Sequence, residues 1–421
     1  MSTTETNSGP MLAADGTPLK VSLARALRRQ KLRALMLIAP LLLFILLTFI
    51  APIADMLFRS VENDIVQDTL PRTVEALSDW DPAAGEMPGE HVFEALHADL
   101  VIAAEQRIHT RVGTRLNYEQ PGISSLFRKS GRRADRMEEG NYREQFLDID
   151  EDWGSVEIWE TIQRFSPAYT PGYFLASVDM EMTHDGIQLV DEDERIYLKL
   201  FVRTLFLSVV ITCSCILLGY PLAFLLANLP LRTSNMLMIL VLLPFWTSLL
   251  VRTSSWIVLL QQQGVINDFL VSLGILDDQG RLELMYNQVG TIVAMTHILL
   301  PFMILPLYSV MKTISPSYVR AAKSLGANDW TAFWKVYFPN TVPGIGAGAV
   351  LVFILAIGYY ITPELVGGTS GIFISNRIAY HISSSLNWGL AAALGVMLLS
   401  LILVFYWLYD KIVGIDNVKL G

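Results

Sequence analysis

Cysteine is nearly absent: the 421 residues hold two, Cys213 and Cys215, both inside an apolar run. Residues two apart on a helix point different ways, so the pair is read as buried thiols rather than as a metal or redox site. Histidine is scarce as well, at six, and does not cluster with cysteine at ligand spacing, which leaves no transition-metal signature. The acidic run Asp191-Glu192-Asp193-Glu194 lacks the spaced oxygen ligands and the glycine of a calcium loop. There is no Gly-x-x-x-x-Gly-Lys-Ser/Thr phosphate loop, so the chain is not expected to hydrolyse ATP. Charge is thin overall. Charged residues make up 17% and hydrophobic ones 52%, with a mean hydropathy of +0.42, which excludes an ordinary soluble enzyme.

What charge there is lies unevenly. Between Glu62 and Arg195 there are 29 acidic and 12 basic residues, while the rest of the chain has 11 acidic and 19 basic ones. That split describes a membrane body with basic loops and one acidic insertion, and positive residues favour the cytoplasmic side. Residues 1–33 are expected to form a polar cytoplasmic tail ending in the cluster Arg25, Arg28, Arg29, Lys31 and Arg33. Residues 34–58 follow as a first membrane span: the run from Leu35 to Leu57 exceeds the roughly 20 residues a bilayer requires. It is too long, and begins too late, for a cleaved signal peptide.

Residues 59–197 form the acidic insertion, expected outside the membrane. A helix is predicted from Glu90 to Arg111 and another from Val156 to Phe165, and the basic run Arg128 to Arg133 is read as a solvated loop rather than a phosphate or nucleic-acid patch. With no cysteine in it, this segment must fold on a small core or lean on a partner. Residues 198–421 then carry five further spans, near Phe201–Leu229, Met236–Leu260, Val289–Val310, Val342–Ile361 and Leu390–Val413. Six spans put both termini in the cytoplasm.

Between the fourth and fifth spans lies the polar stretch Ser315 to Ile345, read as helix, turn, helix. Pro316 suits a first helical turn, Gly326 a left-handed end, and Asn328 or Asp329 a cap. Trp330, Phe333, Trp334 and Tyr337 share overlapping faces until Pro339 and Pro343, which are expected to break the second helix. The ordered set Ala321-Ala322, Leu325-Gly326-Ala327, Phe333, Pro339 and Pro343-Gly344-Ile345 resembles the cytoplasmic coupling loop of ABC-importer permeases, here residues 315–340. The family's usual Glu before the two alanines is Arg320 in this chain. The segments GYPLAFLLANLP from Gly219, LPFWTSLLVRTSSWIVLL from Leu243 and GVINDFLVSLGIL from Gly264 resemble the permeases of polyamine (spermidine/putrescine-type) importers. The acidic insertion has no part in that likeness.

The resemblance implies an all-α polytopic membrane protein of the type I ABC-importer permease fold, six-spanning and set in the bacterial inner membrane. It implies a cytoplasmic ATPase dimer gripping the coupling loop, a second homologous permease, and an extracytoplasmic solute-binding protein. ATP and magnesium would reside on the partner ATPase, with no cofactor on this chain, no nucleic-acid partner, and membrane lipid around it. Permeases this similar also serve other small organic solutes such as amino-acid-like compounds. A secondary transporter would show internal repeats and need no coupling loop, and a two-span sensor would lack the four spans that follow.

Polar residues near the spans are candidates for the solute pathway: Trp246, Arg252, Trp256, Tyr359, Tyr360 and Glu364. A charge such as Arg252 within a span must face water, pair or snorkel, so it either lines the path or sits in a structural ion pair. Glu364 is read either as meeting a cationic solute or as pairing with Arg252 or Arg377. His297 is read as a hydrogen-bonded packing residue, and Gly344, Gly346 and Gly348 as permitting close helix packing.

Overall fold

The structure is a computed structural model that describes residues 19–183 and 186–413. The first residues of the polar tail and the terminal Lys419 lie outside the described residues. The chain divides into Met1–Phe58 and Arg59–Gly421. The first unit is one helical run: α1 (Leu19–Ile45), a π turn over Leu46–Ile50 in which Ala51 N–H reaches Leu46 O, and α2 (Ala51–Arg59). The basic cluster therefore continues the apolar helix instead of belonging to an irregular tail, and Leu27–Arg59 is long and apolar enough to cross a membrane.

In the second unit the insertion is helical: α3 (Asp64–Thr69), α4 (Pro71–Leu77), α5 (Glu90–Glu105), α6 (His109–Asn117), α7 (Ile123–Arg133), α8 (Tyr142–Ile149), α9 (Val156–Arg164) and α10 (Gly172–Ser177). Its core is aromatic. Phe93 and Trp159 meet edge to face at 4.7 Å, and Trp153 touches Phe127, Phe146 and Trp159. Both indoles bury their N–H on a partner, Trp153 on Ser130 Oγ and Trp159 on Trp153 O. Two expectations fail here. The helix from Glu90 stops at Glu105, because Arg107 takes a left-handed φ of 59° and Ile108 N–H closes back on Ala103 O. The basic run Arg128 to Arg133 is a helix and not a loop: Leu126, Phe127, Ser130 and Gly131 turn inward, and Lys129 pairs with Asp150 at 2.6 Å. A side chain at Gly131 would collide with His109, its Cβ lying 2.4 Å from the ring.

The insertion begins and ends at one place. Asn63 N–H donates to Ala168 O and Thr170 N–H to Val61 O, while the Asn63 amide donates to Phe165 O and Pro167 O. Arg115, 3% exposed, donates to Asn63 Oδ1 and lays its guanidinium 4.6 Å from the Tyr173 ring centroid. After α10 comes a hairpin of β1 (Met180–Thr183) and β2 (Gly186–Leu189), antiparallel with Met180 opposite Leu189.

The membrane body is built on α11 (Tyr197–Asn228), whose first turn is capped from the insertion side. Asp179 Oδ1 accepts the N–H groups of Ile196 and Tyr197 at 3.0 and 2.9 Å, and Oδ2 accepts that of Leu198 at 2.7 Å. Next come α12 (Leu231–Leu242), α13 (Leu249–Leu260) and α14 (Val265–Ser272), then α15 (Gln288–Thr313), α16 (Pro316–Ser324), α17 (Asp329–Ala332) and α18 (Phe338–Gly358). The chain closes with α19 (Ile361–Val366), α20 (Gly368–Gly371), α21 (Ile374–Ser383) and α22 (Trp388–Val413). Its core is α11, α15 and α18, with Leu207, Ile211, Cys215, Leu299, Met303, Val352 and Ala356 buried together. Gly344 and Gly348, one turn apart, let α18 lie against Val310 and Met303 of α15; Gly346 turns to Tyr409 of α22.

Among the described residues, five helices are long and apolar enough to cross a membrane. The expected span from Met236 to Leu260 is not one straight helix. The chain bends by 97° between Leu231–Trp246 and Leu249–Ser272, because Pro244 supplies no N–H and Ser248 Oγ caps a new helix on Val251 N–H. Conversely, Pro339 and Pro343 break nothing: Asp329–Gly358 is one helical run. A π segment over Phe333–Tyr337 resets the bonding just before Pro339, Phe338 N–H reaching Phe333 O, and the Asn340 amide takes up Val336 O.

Asp179→Ala removes the acceptor of three N–H groups and should lower stability by about 1–2 kcal/mol. The loss is to be read as an earlier thermal transition of the purified protein in detergent, and an unchanged transition would refute the capping role.

Candidate functional site

The polar hairpin is held by its own caps. Ser315 Oγ accepts Ser317 N–H and Pro316 fills the first helical position. At the other end of α16, Gly326 N–H donates to Lys323 O and Ala327 N–H to Ala322 O, a Schellman pair that requires the left-handed φ of 92° at Gly326. Asn328 Oδ1 then accepts Thr331 N–H at 2.8 Å, so Asn328 and not Asp329 is the cap, and Asp329 forms an ion pair with Lys323 across the turn. Ala322 thus supplies one of the two carbonyls that close the helix, and Ala321 O accepts the N–H of Leu325. Phe333 anchors the hairpin, with Tyr220 and Phe224 of α11 edge-on at 6.3 and 6.1 Å.

The outer surface of the hairpin is apolar and unfilled. Leu325 is 90% and Trp330 71% exposed, with Tyr318 exposed beside them. Arg320 and Pro339 are exposed too, and Arg320 lines a cavity of about 720 Å³ with Lys312, Lys323, Phe224 and Asn228. Charge on this surface is basic at the position where the family motif has an acid.

The candidate pathway residues fall into two groups. Trp246 stands alone at the bend, 87% exposed. The others gather where α18 ends at Gly358 and the backbone leaves helical geometry through Tyr359 and Tyr360 before α19. Both carbonyls are bonded from α21: Ser375 Oγ donates to Tyr359 O at 2.6 Å, and Asn376 Nδ2 to Tyr360 O at 2.8 Å, a carbonyl that also accepts the Glu364 N–H of α19. The same Asn376 amide donates to Glu364 Oε2 at 2.6 Å. On α13, Thr253 bonds Thr362, Trp256 Nε1 donates to His297 Nδ1, and Arg252 Nη2 donates to Thr247 O. His297 is thus a hydrogen-bonded packing residue, and Arg252 Nε is buried without a partner. Glu364 forms no ion pair with Arg252 or Arg377 among the described residues; the nearby amide takes the place of the expected cation.

Ser375, Asn376 and His381 were missed by sequence reading, although the polar triplet Ser375-Asn376-Arg377 amid apolar neighbours marked the spot. His381 uses both ring nitrogens, Nε2 with Tyr197 OH at 2.9 Å and Nδ1 with Ser385 Oγ at 2.8 Å, and the carbonyl of Ser385 accepts from Tyr118 of the insertion.

Fold and site together describe a helical membrane protein with an exposed, self-capped polar hairpin. Residues 219–413 match the family model "Binding-protein-dependent transport system inner membrane component". The spermidine/putrescine transport system permease protein PotB of Escherichia coli (strain K12) is 33% identical over 222 residues, 52% of this chain and 80% of that protein. Its counterpart in Haemophilus influenzae (strain ATCC 51907 / DSM 11121 / KW20 / Rd) is 34% identical over 222 residues, 52% of this chain and 77% of that protein. The inner membrane ABC transporter permease protein YdcU of Escherichia coli (strain K12) is 32% identical over 250 residues, 56% of this chain and 79% of that protein. The chain belongs to the binding-protein-dependent transport system inner-membrane component family. It is a multi-pass permease subunit of an ABC importer.

Burial, with the Arg377 charge adding to it, pushes the His381 imidazole down to about 4. Unfolded, the ring titrates near ~6.5, so the unfolded state binds more protons between those values. The stability given by the neutral ring is complete above about 6.5 and is lost as the pH falls toward 4. The protection of amides across residues 381–387, taken as the intrinsic exchange rate at each pH divided by the observed one, should therefore fall between pH 7.5 and 5, and His381→Gln should flatten that dependence. Equal protection at both pH values in the unmutated protein would contradict it.

Proposed function

We propose that this permease imports polyamines, pairing with a second permease, an ATPase dimer at the hairpin and an extracytoplasmic binding protein. The observation that carries the reading is the one-third identity to spermidine/putrescine permeases across four-fifths of their length. The exposed carboxylate of Glu364 beside Tyr359 and Tyr360 agrees with it, since an aromatic-flanked acid is the chemistry that meets an alkylammonium group. In this reading six spans, counting the bent pair as one, put both termini and the hairpin in the cytoplasm and the insertion outside. ATP and magnesium belong to the partner ATPase.

The insertion serves in this reading as a docking platform for the binding protein or the second permease. Between Glu62 and Arg195 its excess of 17 acidic residues attracts basic partners over a Debye length, about 8–10 Å at physiological salt. A plain spacer is the competing role.

Reconstitution with the ATPase, second permease and loaded binding protein tests the whole reading: spermidine or putrescine, but not neutral amino acids, should accumulate with ATP. Glu364→Gln should lower spermidine uptake per ATP hydrolysed about tenfold at saturating loaded binding protein, and unchanged uptake would remove that acid from the path. In Gly326→Arg the added Cβ meets no atom within 4 Å, so the cost to the fold is the left-handed backbone, about 1–2 kcal/mol. It should leave the protein in the membrane yet abolish uptake and ATPase association, and wild-type values for both would sink the hairpin assignment. Because residues 61–63 and 168–170 pair, replacing 64–167 with a short Gly/Ser link should preserve basal ATPase activity. It should raise the half-saturating concentration of binding protein, most at low salt; no change at any salt would leave the spacer.

A further inference from the structure

Asn376 joins the break after α18 to the carboxylate of Glu364, and its three bonds leave it no freedom. Its Oδ1 accepts Phe373 N–H at 2.9 Å, while Nδ2 donates to Tyr360 O at 2.8 Å and to Glu364 Oε2 at 2.6 Å. With a donor on one side and two acceptors on the other, the amide has one orientation, and at 4% exposure it has no water to turn toward. Its own helix is fixed: Ile374 N–H donates to Thr204 Oγ1 of α11 at 2.8 Å, and Ser375 holds Tyr359 O. Glu364 is exposed, sits on the short helix α19, and has no cation within pairing distance among the described residues. One of its oxygens is thus pinned by a neutral donor, and the other is left for a ligand.

We propose that Asn376 is a positioning residue for solute selection: it aims the Glu364 carboxylate at a primary ammonium group in the pathway without neutralising it. This rests on the reading of Glu364 as part of that pathway. A lysine or arginine in the place of Asn376 would hold Glu364 equally well and cancel the charge an amine needs. An aspartate would set an oxygen against the carboxylate at hydrogen-bond distance and repel it.

The test is a double-mutant cycle in the complete reconstituted importer, with spermidine as probe, reading uptake per ATP hydrolysed and basal ATPase activity. Asn376→Ala should lower uptake per ATP about fivefold and leave basal ATPase within twofold, and Asn376→Asp should lower it further. In the Glu364→Gln background, Asn376→Ala should change uptake per ATP by less than twofold. An equal loss in both backgrounds, or a parallel fall in basal ATPase, would make Asn376 a merely structural residue and overturn the proposal. Asn376→Asp, which keeps the acceptor for Phe373, decides the matter if the alanine variant fails to assemble. Absence of spermidine uptake by the unmutated complex would fall on the polyamine reading instead. The assignment is then read from labelling of Glu364 by a water-soluble carbodiimide, which should quicken at least threefold in Asn376→Asp, and equal labelling would overturn it.

Discussion

A carbonyl released from a helix inside an apolar slab has no water to turn to, and leaving it bare costs several kcal/mol. That constraint organises the membrane body. Where the chain leaves regular α-helical bonding, side chains take up backbone carbonyls, Ser375 on Tyr359, Asn376 on Tyr360 and Asn340 on Val336, while the Thr253 and Thr362 hydroxyls pair with each other. These polar residues therefore have a structural role. Breaks give the helices somewhere to expose a carboxylate, and the groups that mend the breaks decide where it points.

The same economy holds at the two ends of the body. On one side the hairpin is finished by its own caps and anchored by Phe333, which leaves Leu325 and Trp330 outward. On the other, Asp179 caps α11, His381 ties Tyr197 to Ser385, and Tyr118 reaches the Ser385 carbonyl. The insertion is thus fastened to the ends of two long helices and not strung on a flexible leash.

The turn of the hairpin was legible, because Pro316, Gly326 and Asn328 act locally, whereas the expected breaks at Pro339 and Pro343 did not occur. The long apolar runs were legible by length. What sequence could not supply was any feature fixed by a remote partner. Pro244 bends the chain whereas Pro339 does not, and the difference lies in the cap at Ser248 and the π segment at Phe333, neither of which hydropathy reveals. Arg107 ends a helix in a left-handed conformation more usual for glycine. The partner of Glu364 was sought among arginines when the geometry chose an amide twelve residues on. The basic run at Arg128 looked like loop because the buried residues within and after it, Ser130 and Gly131, are small, the large ones Ile123, Leu126 and Phe127 lying before it.

The meeting of Asn63 with Ala168 has a consequence for how such a chain folds and changes over time. The entropy lost in closing a loop grows only with the logarithm of its length, and each doubling adds about 0.6 kcal/mol. A segment that folds on its own core and returns its ends to one point leaves residues 61–63 running on into 168–170 as though 64–167 were absent. The body can then be assembled as though nothing had been spliced into it. A lineage can lengthen, recharge or discard the inserted segment while the helices that carry solute remain as they were.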